Sequence, residues 1–425
     1  MVRNKLSYIL IAVLVYINIS FSQIIVGKWN KPVSPVMVDY VKRVIENAEN
    51  KNAKAIILIL DTPGGLESSM REVIKQITNT PIPFIVYVYP NGARAASAGA
   101  IITISADIAA MAPLTNIGSA SPVSLQGKDI DKTLKMKITN DMIALVKAVA
   151  KDKGRNIDAI IKMITEAKSY PAEEAKKIGI IDVIAKNLED LINKIDGWKL
   201  KKAGKTTVLQ LKNQPIYYID LNLKEKILTV ITNPSIAYLL LMIGFYGIFF
   251  ELYNPGSIIP GTIGAISFLV ALYALNIISA NWLGVLLIAL GILFFVLEVL
   301  TPTFGGLAFA GVVSMIFGSV ILLSPESPYG DISLKIILPV VFFSAFFFFT
   351  VAYLAVKAQR KKPLTGIEAM IGKEGEALTD INPEGQVMIM GEIWEAYSNQ
   401  PIKKGEKVKV VAVKGLKLKV KKAKH

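Results

Sequence analysis

Two short segments carry residue types that could support chemistry. The first reads DTPGG at 61–65 and follows the apolar run AIILIL; the second reads ARAASAGA at 93–100 and follows PFIVYVYP. Glycines after a strand let the backbone turn and leave amide groups free to face a ligand. Ser97 stands among alanines and glycines at a predicted strand-to-helix turn, where a helix N-terminus favours developing negative charge. Ser97 is therefore a candidate nucleophile, although helix capping or small-residue packing explains the local pattern at least as well.

The composition restricts which group could activate such a serine. The chain has no cysteine, and its only histidine is His425, the last residue. Thiol nucleophiles, disulfides and thiolate metal sites are excluded, and a terminal histidine is a poor member of a Ser/His/Asp triad or a zinc site. A base for hydrolysis must therefore be Lys, Asp or Glu. We expect neither a metal nor a cofactor.

The segment 24–226 has the composition of a soluble α/β domain that would position these residues. Short β-rich runs that end in Gly/Pro turns alternate with amphipathic stretches such as VDYVKRVIENAE. A strand, helix, strand rhythm predicts a largely parallel sheet. Before this domain, residues 1–22 place two basic residues ahead of an apolar run. This order predicts a secretory signal peptide or a retained N-terminal anchor.

A membrane region is predicted at 235–357. Hydrophobic residues make up 52% of the chain despite a formal charge of +15, which indicates apolar spans between Lys-rich soluble parts. Each predicted span is near the length needed to cross a bilayer. The spans lie near 236–253, 261–280, 282–300, 304–324 and 335–356. Glu251 and Glu298 lie near span ends, where snorkelling towards headgroups accounts for them.

Basic residues set the orientation of the last span. Lys357, Arg360, Lys361 and Lys362 follow it directly, whereas the loop before it carries acidic but no basic residues. The positive-inside rule therefore places the C-terminus in the cytoplasm. Five crossings then place the α/β domain outside the cytoplasmic membrane, in agreement with a secretory signal.

A third unit is predicted at 364–422. Stretches that alternate apolar with polar residues are separated by turns such as Asn-Pro-Glu-Gly, which predicts a five-stranded, OB-like barrel. Lys417, Lys419 and Lys421 share one strand face; an ordinary solvated face is favoured over contact with anionic lipid, and no nucleic acid is expected as a partner. The fold class is therefore multidomain: an α/β domain, an α-helical transmembrane bundle and a small all-β barrel.

Read together, these segments resemble the ClpP-class serine proteases of the crotonase-like superfamily, which include signal peptide peptidase A. They resemble still more closely the NfeD family of membrane proteases, the stomatin operon partner proteins. The resemblance covers almost the whole chain, including the barrel. Its motifs are LDTPGG (60–65), YPNGARAASAGA (89–100), MAPLTNIGSASPV (111–123), KITN (137–140), YPAEEAKKIGIIDVIA (170–185), ITNPSIAYLLL (231–241) and LTPTFGG (300–306).

The resemblance implies a Ser/Lys catalytic dyad, which agrees with the lack of a usable histidine. The family's motif positions fall on Ser97 as the nucleophile and on Lys137 of KITN as the general base. The amides of Gly65 and Ala98 are implied as the oxyanion hole, whose two donors would bind the tetrahedral intermediate. Gly64 is expected to contact the substrate.

A lysine base places a demand on its surroundings. Lysine has an ordinary pKa of about 10.4, so it accepts a proton from serine only if burial in an apolar pocket lowers that pKa. Met136 and Ile138 flank Lys137 with apolar groups. The segment 115–137 is predicted to be a mobile loop that carries the base. Lys132 and Lys135 are competing candidates.

The resemblance implies a serine endopeptidase that cleaves apolar segments of membrane-associated proteins, with the hydrophobic tail of a stomatin-like partner as a candidate substrate. Small side chains at Ala95, Ala96 and Ala100 would leave room for bulky apolar groups. The expected partners are the lipid bilayer, a stomatin-like protein and further copies of the chain in a homodimer or higher homo-oligomer.

Other functions remain as alternatives. A non-catalytic membrane scaffold that recruits a stomatin-like protein is the main one. Crotonase-type acyl-CoA chemistry fits less well because no acidic catalytic pair is evident near DTPGG. Aspartic intramembrane proteolysis also fits less well, because the chain lacks a complete GxGD signature at Asp331.

Overall fold

The structure, a computed structural model, describes residues 23–122, 132–202, 204–253, 255–256, 258–301, 303, 305–323, 327, 329–330, 332–359 and 367–423. The predicted signal segment 1–22, His425, three of the basic residues after the last span and the first three residues of the predicted barrel lie outside the described residues. The elements of the N-terminal domain, in chain order, are β1 (Ile24–Trp29), α1 (Pro35–Asn50), β2 (Ala55–Leu60), α2 (Glu67–Asn79), β3 (Phe84–Val88), β4 (Arg94–Ala96), α3 (Ala98–Ser105), β5 (Ile108–Met111), β6 (Asn116–Gly118), α4 (Lys132–Asp152), α5 (Ile157–Thr165), β7 (Ser169–Pro171), α6 (Ala172–Lys177), β8 (Val183–Ile184), α7 (Leu188–Ile195), β9 (Lys199–Lys202), β10 (Lys205–Val208), β11 (Ile216–Ile219) and α8 (Leu223–Ile231).

Six strands form a parallel sheet in the order β11-β1-β2-β3-β5-β8. The runs AIILIL in β2 and FIVYV in β3 are buried at every position, as expected for parallel strands that are covered on both faces. Ile56 and Leu58 face a core shared with α1 to α5, whereas Ile57 and Tyr87 face a second core that includes α7. The predicted α/β domain with a parallel sheet is confirmed.

A smaller sheet lies beside the ends of these strands and leads into the predicted site. Its order is β4-β6-β7, with β4 and β6 parallel and β6 and β7 antiparallel. Strand β4 also forms an isolated parallel bridge between Ala95 and Thr62 of the DTPGG turn. The chain therefore passes from β4 through Ser97 into α3 next to that turn.

Within the described residues, helix α4 is buried against the domain from its middle onwards. Its buried residues recur at every fourth position: Met142, Val146 and Ala150. The Arg71 side chain of α2 forms an ion pair with Asp141. In contrast, all six residues at 132–137 are exposed. The predicted loop over 115–137 is therefore wrong for 132–137, which form the first turns of this helix, and for 116–118, which form β6. Its residues 123–131 lie outside the described part of the chain.

A buried ion cluster fixes the opposite end of α4. Lys153 follows the helix and pairs with Asp107 at 2.9 Å, and Lys202 of β9 pairs with the same carboxylate at 2.5 Å. Burial lowers the pKa of Lys202, while the charge of Asp107 opposes that shift. The cluster ties α4 to the loop before β5 and to the β9–β10 hairpin.

Five apolar helices follow in the membrane region: α9 (Pro234–Tyr253), α10 (Ile258–Ile277), α11 (Trp282–Leu300), α12 (Gly306–Ile321) and α13 (Leu334–Gln359). Within the described residues, α9, α10, α11 and α13 are long and apolar enough to cross a membrane. Helix α12 has 16 residues, about 24 Å at ~1.5 Å per residue, against a hydrocarbon core of about 30 Å. Length alone thus supports four of the five predicted spans.

Glycines bring neighbouring membrane helices into backbone contact. A Cβ atom at Gly247 of α9 would lie 2.6 Å from the Cα atom of Gly264 in α10. A Cβ atom at Gly291 of α11 would lie 2.9 Å from the carbonyl oxygen of Gly311 in α12. Small residues allow membrane helices to approach this closely, and van der Waals packing then holds them together.

The C-terminal unit is a closed barrel in the order β12-β13-β14-β16-β15. Its strands are β12 (Glu374–Ala377), β13 (Glu384–Ile389), β14 (Glu392–Tyr397), β15 (Lys407–Lys414) and β16 (Lys417–Lys422). Leu418 and Val420 of β16 are buried in the barrel, and Lys417 on the other face pairs with Glu384 at 2.8 Å. The predicted five-stranded barrel is confirmed.

The contact between α9 and α10 leads to a prediction for Gly247→Val. The full chain in detergent micelles should unfold at a lower temperature because the new side chain meets Gly264 and the Pro260 carbonyl, both 2.6 Å from the Cβ position. Such overpacking typically costs about 1–3 kcal/mol. Ile243→Val, at a side chain of α9 that is 47% exposed, is the control and should change little. Equal unfolding temperatures for the two variants would contradict the contact.

Candidate active site

Ser97 connects β4 to α3 in a backbone conformation that is rare for a residue with a side chain. Its φ is 52° and its ψ is −121°, a conformation that costs a non-glycine residue on the order of 1–3 kcal/mol. Hydrogen bonds hold it on both sides: its amide donates to the Gly118 carbonyl at 2.8 Å, and its carbonyl accepts from the Ala100 amide at 3.0 Å. Sharp, strained strand-to-helix turns of this kind expose nucleophilic serines in hydrolases.

The DTPGG turn lies directly against Ser97. The Thr62 amide donates to the Arg94 carbonyl at 2.8 Å, and the Ala96 amide donates to the Thr62 carbonyl at 3.1 Å. Gly64 has a φ of 119°, and a Cβ atom there would lie 2.7 Å from the Cβ atom of Ser97. Only glycine fits this position, because any side chain would be strained and would collide with the serine.

Two backbone amides beside the serine are available to a ligand. The Val33 amide donates to the Gly64 carbonyl at 2.7 Å, and the Leu66 amide donates to the Val33 carbonyl at 2.9 Å. These two hydrogen bonds use the Gly64 carbonyl and the Leu66 amide, on either side of Gly65. The Gly65 amide itself donates to no acceptor among the described residues. The same holds, in that part of the chain, for the amide of Ala98 at the start of α3. A pair of free amides next to a nucleophile is the arrangement that an oxyanion hole requires.

Lys137 lies in the second turn of α4 and is exposed, as is Met136, whose side chain is 61% exposed. No hydrogen bond joins Lys137 to Ser97 in the described part of the chain. The described residues therefore do not form the apolar niche expected around this lysine. Within the described residues, α4 is buried in the core from Met142 onwards, which leaves its first turns exposed.

The residues predicted to line a substrate pocket differ in their exposure. Ala95 and Ala100 are fully buried in the domain core, so neither presents a surface to a substrate. Ala96 is partly exposed, and Gly64 is buried against Ser97. Of the three alanines, Ala96 alone has an accessible side chain beside the serine.

Sequence reasoning missed two residues that shape this site. Val33 forms an isolated parallel bridge with Gly65 and thereby positions the predicted oxyanion amide. The Thr62 hydroxyl accepts a hydrogen bond from the Gly64 amide at 3.2 Å. Thr62 lies within DTPGG and could have been recognised there as a turn-stabilising hydroxyl. Val33 is more than 30 positions from Gly65 in the sequence, so no local pattern indicates that the two residues pair.

Comparison with family models matches three parts of the chain. Residues 29–203 match the NfeD1b N-terminal domain, residues 235–354 the NfeD integral membrane domain, and residues 367–422 the NfeD-like C-terminal, partner-binding domain. The membrane-bound protease PH1510 of Pyrococcus horikoshii is 39% identical over 394 residues, which cover 89% of both chains. The membrane protein NfeD1b of Bacillus subtilis is 30% identical over 414 residues, covering 91% of this chain and 89% of that one. The chain belongs to the NfeD family of membrane proteins, as its motifs predicted.

Solved structures of parts of related proteins are also similar. A lysine-to-alanine variant of the 1510-N membrane-bound stomatin-specific protease, in complex with a substrate peptide, is 36% identical; the match covers 49% of this chain and 97% of that one, with a TM-score of 0.47. The C-terminal domain of stomatin operon partner protein 1510-C from Pyrococcus horikoshii is 46% identical; the match covers 14% of this chain and 98% of that one, with a TM-score of 0.14.

The contact between Gly64 and Ser97 leads to a prediction for Gly64→Ala. The rate at which a fluorophosphonate modifies Ser97 should fall by about 100-fold or more, because the new methyl group displaces either the serine or the neighbouring oxyanion amide. Gly92→Ala is the matched control: Gly92 also has a positive φ, 85°, but a Cβ atom there meets nothing within 4 Å. It should reduce stability by about 1–2 kcal/mol and leave the rate of modification close to that of the parent. Equal rates in the two variants would show that the close approach of Gly64 has no role.

Proposed function

We propose that this chain is a membrane-bound serine endopeptidase of the ClpP and signal peptide peptidase A class. The observation that carries the proposal is the constrained backbone of Ser97 beside the amides of Gly65 and Ala98, which donate to no acceptor in the described part of the chain. A serine held for packing alone would need neither the strained φ nor the adjacent pair of donors. The 39% identity to a membrane-bound protease over most of the chain supports the same function.

The proposed reaction follows from these groups. The Ser97 hydroxyl attacks the carbonyl carbon of the scissile bond while the neutral amine of Lys137 takes the hydroxyl proton. The carbonyl oxygen becomes an oxyanion that accepts hydrogen bonds from Gly65 and Ala98. When the C–N bond breaks, the lysine ammonium returns the proton to the leaving amine and an acyl-serine remains. Water, deprotonated by the same lysine, then hydrolyses the ester and regenerates Ser97.

The exposed first turns of α4 indicate how the dyad is completed. Leu134 and Met136 are 51% and 61% exposed next to Lys137. Apolar surface of this kind is normally covered by a partner, and a lysine that acts as a base needs low-polarity surroundings. We therefore propose that a bound substrate or a second copy of the chain covers these turns and encloses Lys137. In a homodimer or higher homo-oligomer, another copy of the chain would cover these turns.

An apolar peptide is the substrate that best suits this arrangement, because it would bury Leu134 and Met136 while desolvating the lysine. A relative with 36% identity over its solved domain is described as a stomatin-specific protease. We propose the hydrophobic tail of a stomatin-like protein as the substrate here. A scaffold without catalysis is the second candidate, since residues 367–422 match a partner-binding domain. Covalent modification of Ser97 by a serine-directed reagent separates the two functions.

The dyad predicts a sharp difference between two lysines of the same helix. Ser97→Ala and Lys137→Ala should each lower kcat for a peptide from the hydrophobic tail of a stomatin-like protein by about 10⁴-fold or more, as loss of a nucleophile or base does in serine proteases. Lys135→Ala removes another exposed lysine of α4 and should retain activity. Turnover by either dyad variant at the rate of the Lys135→Ala control would contradict the mechanism.

We further propose a topology in which the protease domain (24–226) is outside the cytoplasmic membrane, 235–357 crosses it, and the barrel (364–422) is in the cytoplasm. Helix α12 is short, but its contacts support a full return crossing. It packs along α11 through Gly291 and Gly311, and the Asn281 amide just before α11 donates to the Leu322 carbonyl just after α12 at 2.8 Å. Five crossings and the basic residues after the last span give the stated orientation.

The cysteine-free chain allows this topology to be tested with single introduced thiols. Glu46→Cys lies in the N-terminal domain at a side chain that is 55% exposed, and Lys421→Cys lies on the outer face of the barrel. A membrane-impermeant maleimide should label the first in intact cells and the second only after permeabilisation. The reverse pattern, or labelling of both in intact cells, would contradict the orientation.

A further inference from the structure

Helix α8 joins the N-terminal domain to the first membrane span and is fixed to that domain by its inner face. Glu225 is 2% exposed and pairs with Arg43 of α1 at 2.6 Å. The Asn222 side chain and Glu225 also form a capping box at the start of the helix. Leu228 packs against the domain core. Helix α8 therefore has a defined orientation on the domain, and its other face is turned outwards.

The outward face is apolar. Leu223, Ile227 and Val230 are 75%, 51% and 56% exposed. At ~3.6 residues per turn, positions i, i+4 and i+7 fall within about 60° of one another around the helix axis. Lys224, whose amine pairs with Asp39 at 3.2 Å, and Lys226 are exposed on the two sides of this stripe. A narrow apolar stripe flanked by lysines is typical of a helix that lies in a membrane interface, where the lysine amines reach the headgroups.

The position of α8 along the chain identifies what covers the stripe. Only Thr232 and Asn233 separate α8 from α9, and the Asn233 side chain accepts a hydrogen bond from the Ser235 amide at 3.0 Å. Helix α9 is long and apolar enough to span a bilayer and lies within the part of the chain that matches the integral membrane domain. The apolar stripe thus ends where the span begins, at the level of the headgroups.

The same junction is close to the catalytic turn. A cavity of about 130 Å³ is lined by the segment before α1, by the end of α8 and by the loop between α12 and α13; its lining includes Ser34, Thr232, Pro234 and Tyr329. Ser34 follows Val33, whose backbone pairs with Gly65. The short segment Val33–Ser34 therefore connects the predicted oxyanion hole to the residues at the membrane junction.

We propose that α8 is an interfacial helix that inserts Leu223, Ile227 and Val230 into the boundary between the lipid headgroups and the acyl chains. The bilayer is the partner of this surface. Because the inner face of α8 is fixed to α1 by the Arg43–Glu225 pair, insertion sets the height and tilt of the whole N-terminal domain above the membrane. Ser97 then keeps a constant distance from the bilayer, whatever substrate it receives.

Spin labelling of the full chain in vesicles of phosphatidylcholine and phosphatidylglycerol tests this surface without reference to proteolysis. The chain has no cysteine, so Ile227→Cys and Leu223→Cys each carry a single nitroxide. At both sites oxygen should relax the label more strongly, and a water-soluble nickel chelate more weakly, than at a control site in water. Interfacial helices lie about 5–10 Å into the boundary region, where oxygen dissolves and the chelate does not.

Val208→Cys is the control. Val208 is 46% exposed and lies on the β9–β10 hairpin. This hairpin is attached to the end of α2, because the Lys202 amine donates a hydrogen bond to the Ile77 carbonyl. The label at residue 208 should show the opposite preference, for nickel over oxygen. Nickel accessibility at residue 227 equal to that at residue 208 would overturn the proposal. The proposal would also be overturned if both oxygen and the nickel chelate were excluded from the label at residue 227 and the spectrum showed dipolar broadening. That result would mean that a second copy of the chain covers this face.

Discussion

The site depends on three backbone pairings that join four separate segments of the chain at Ser97. Val33 bridges Gly65, Thr62 bridges Ala95, and the Ser97 amide donates to the Gly118 carbonyl. A strained residue such as Ser97 persists only when its surroundings determine its conformation several times over. These bonds do so, and they leave the amides of Gly65 and Ala98 without an acceptor among the described residues. The rigidity of the turn and the availability of its donors therefore have the same cause.

The proposed base, Lys137, is held in the opposite way. Helix α4 is anchored by the Arg71–Asp141 pair and by the ion cluster beyond its end, while the turns that carry Lys137 project from the domain. With a rigid nucleophile and an exposed base, the proposed dyad would be incomplete until an apolar substrate or a second copy of the chain encloses Lys137. A membrane-bound protease gains from this arrangement, because an uncovered site would have little activity towards soluble proteins. In the proposed interfacial arrangement, the outer face of helix α8 lies in the bilayer surface. The helix thereby holds the N-terminal domain close to the membrane, where apolar segments of membrane proteins leave the bilayer.

Much of the fold could be predicted from the sequence because its signals are local. Uninterrupted runs such as AIILIL predicted buried parallel strands, and alternation around Leu418 and Val420 predicted the barrel. Ser97 was found as a small-residue turn, but its strain comes from contacts that only the folded chain makes. The pairing of Val33 with Gly65 had no local signal. The first turns of α4 were predicted as a loop because the segment 115–137 carries small polar residues and few periodic signals. Lys137 was expected in an apolar niche, which the described residues do not form around it.

In the proposed mechanism, Ser97 attacks a carbonyl whose oxygen is then held by the amides of Gly65 and Ala98. The most direct measurement is a crystal structure of the full chain with an apolar peptide boronic acid, which mimics the tetrahedral intermediate. The account predicts a bond from the Ser97 hydroxyl oxygen to boron, with one boronate oxygen about 2.7–3.1 Å from both amide nitrogens. A boronate that bonds to another residue, or that bonds to Ser97 with its oxygens turned away from both amides, would contradict it.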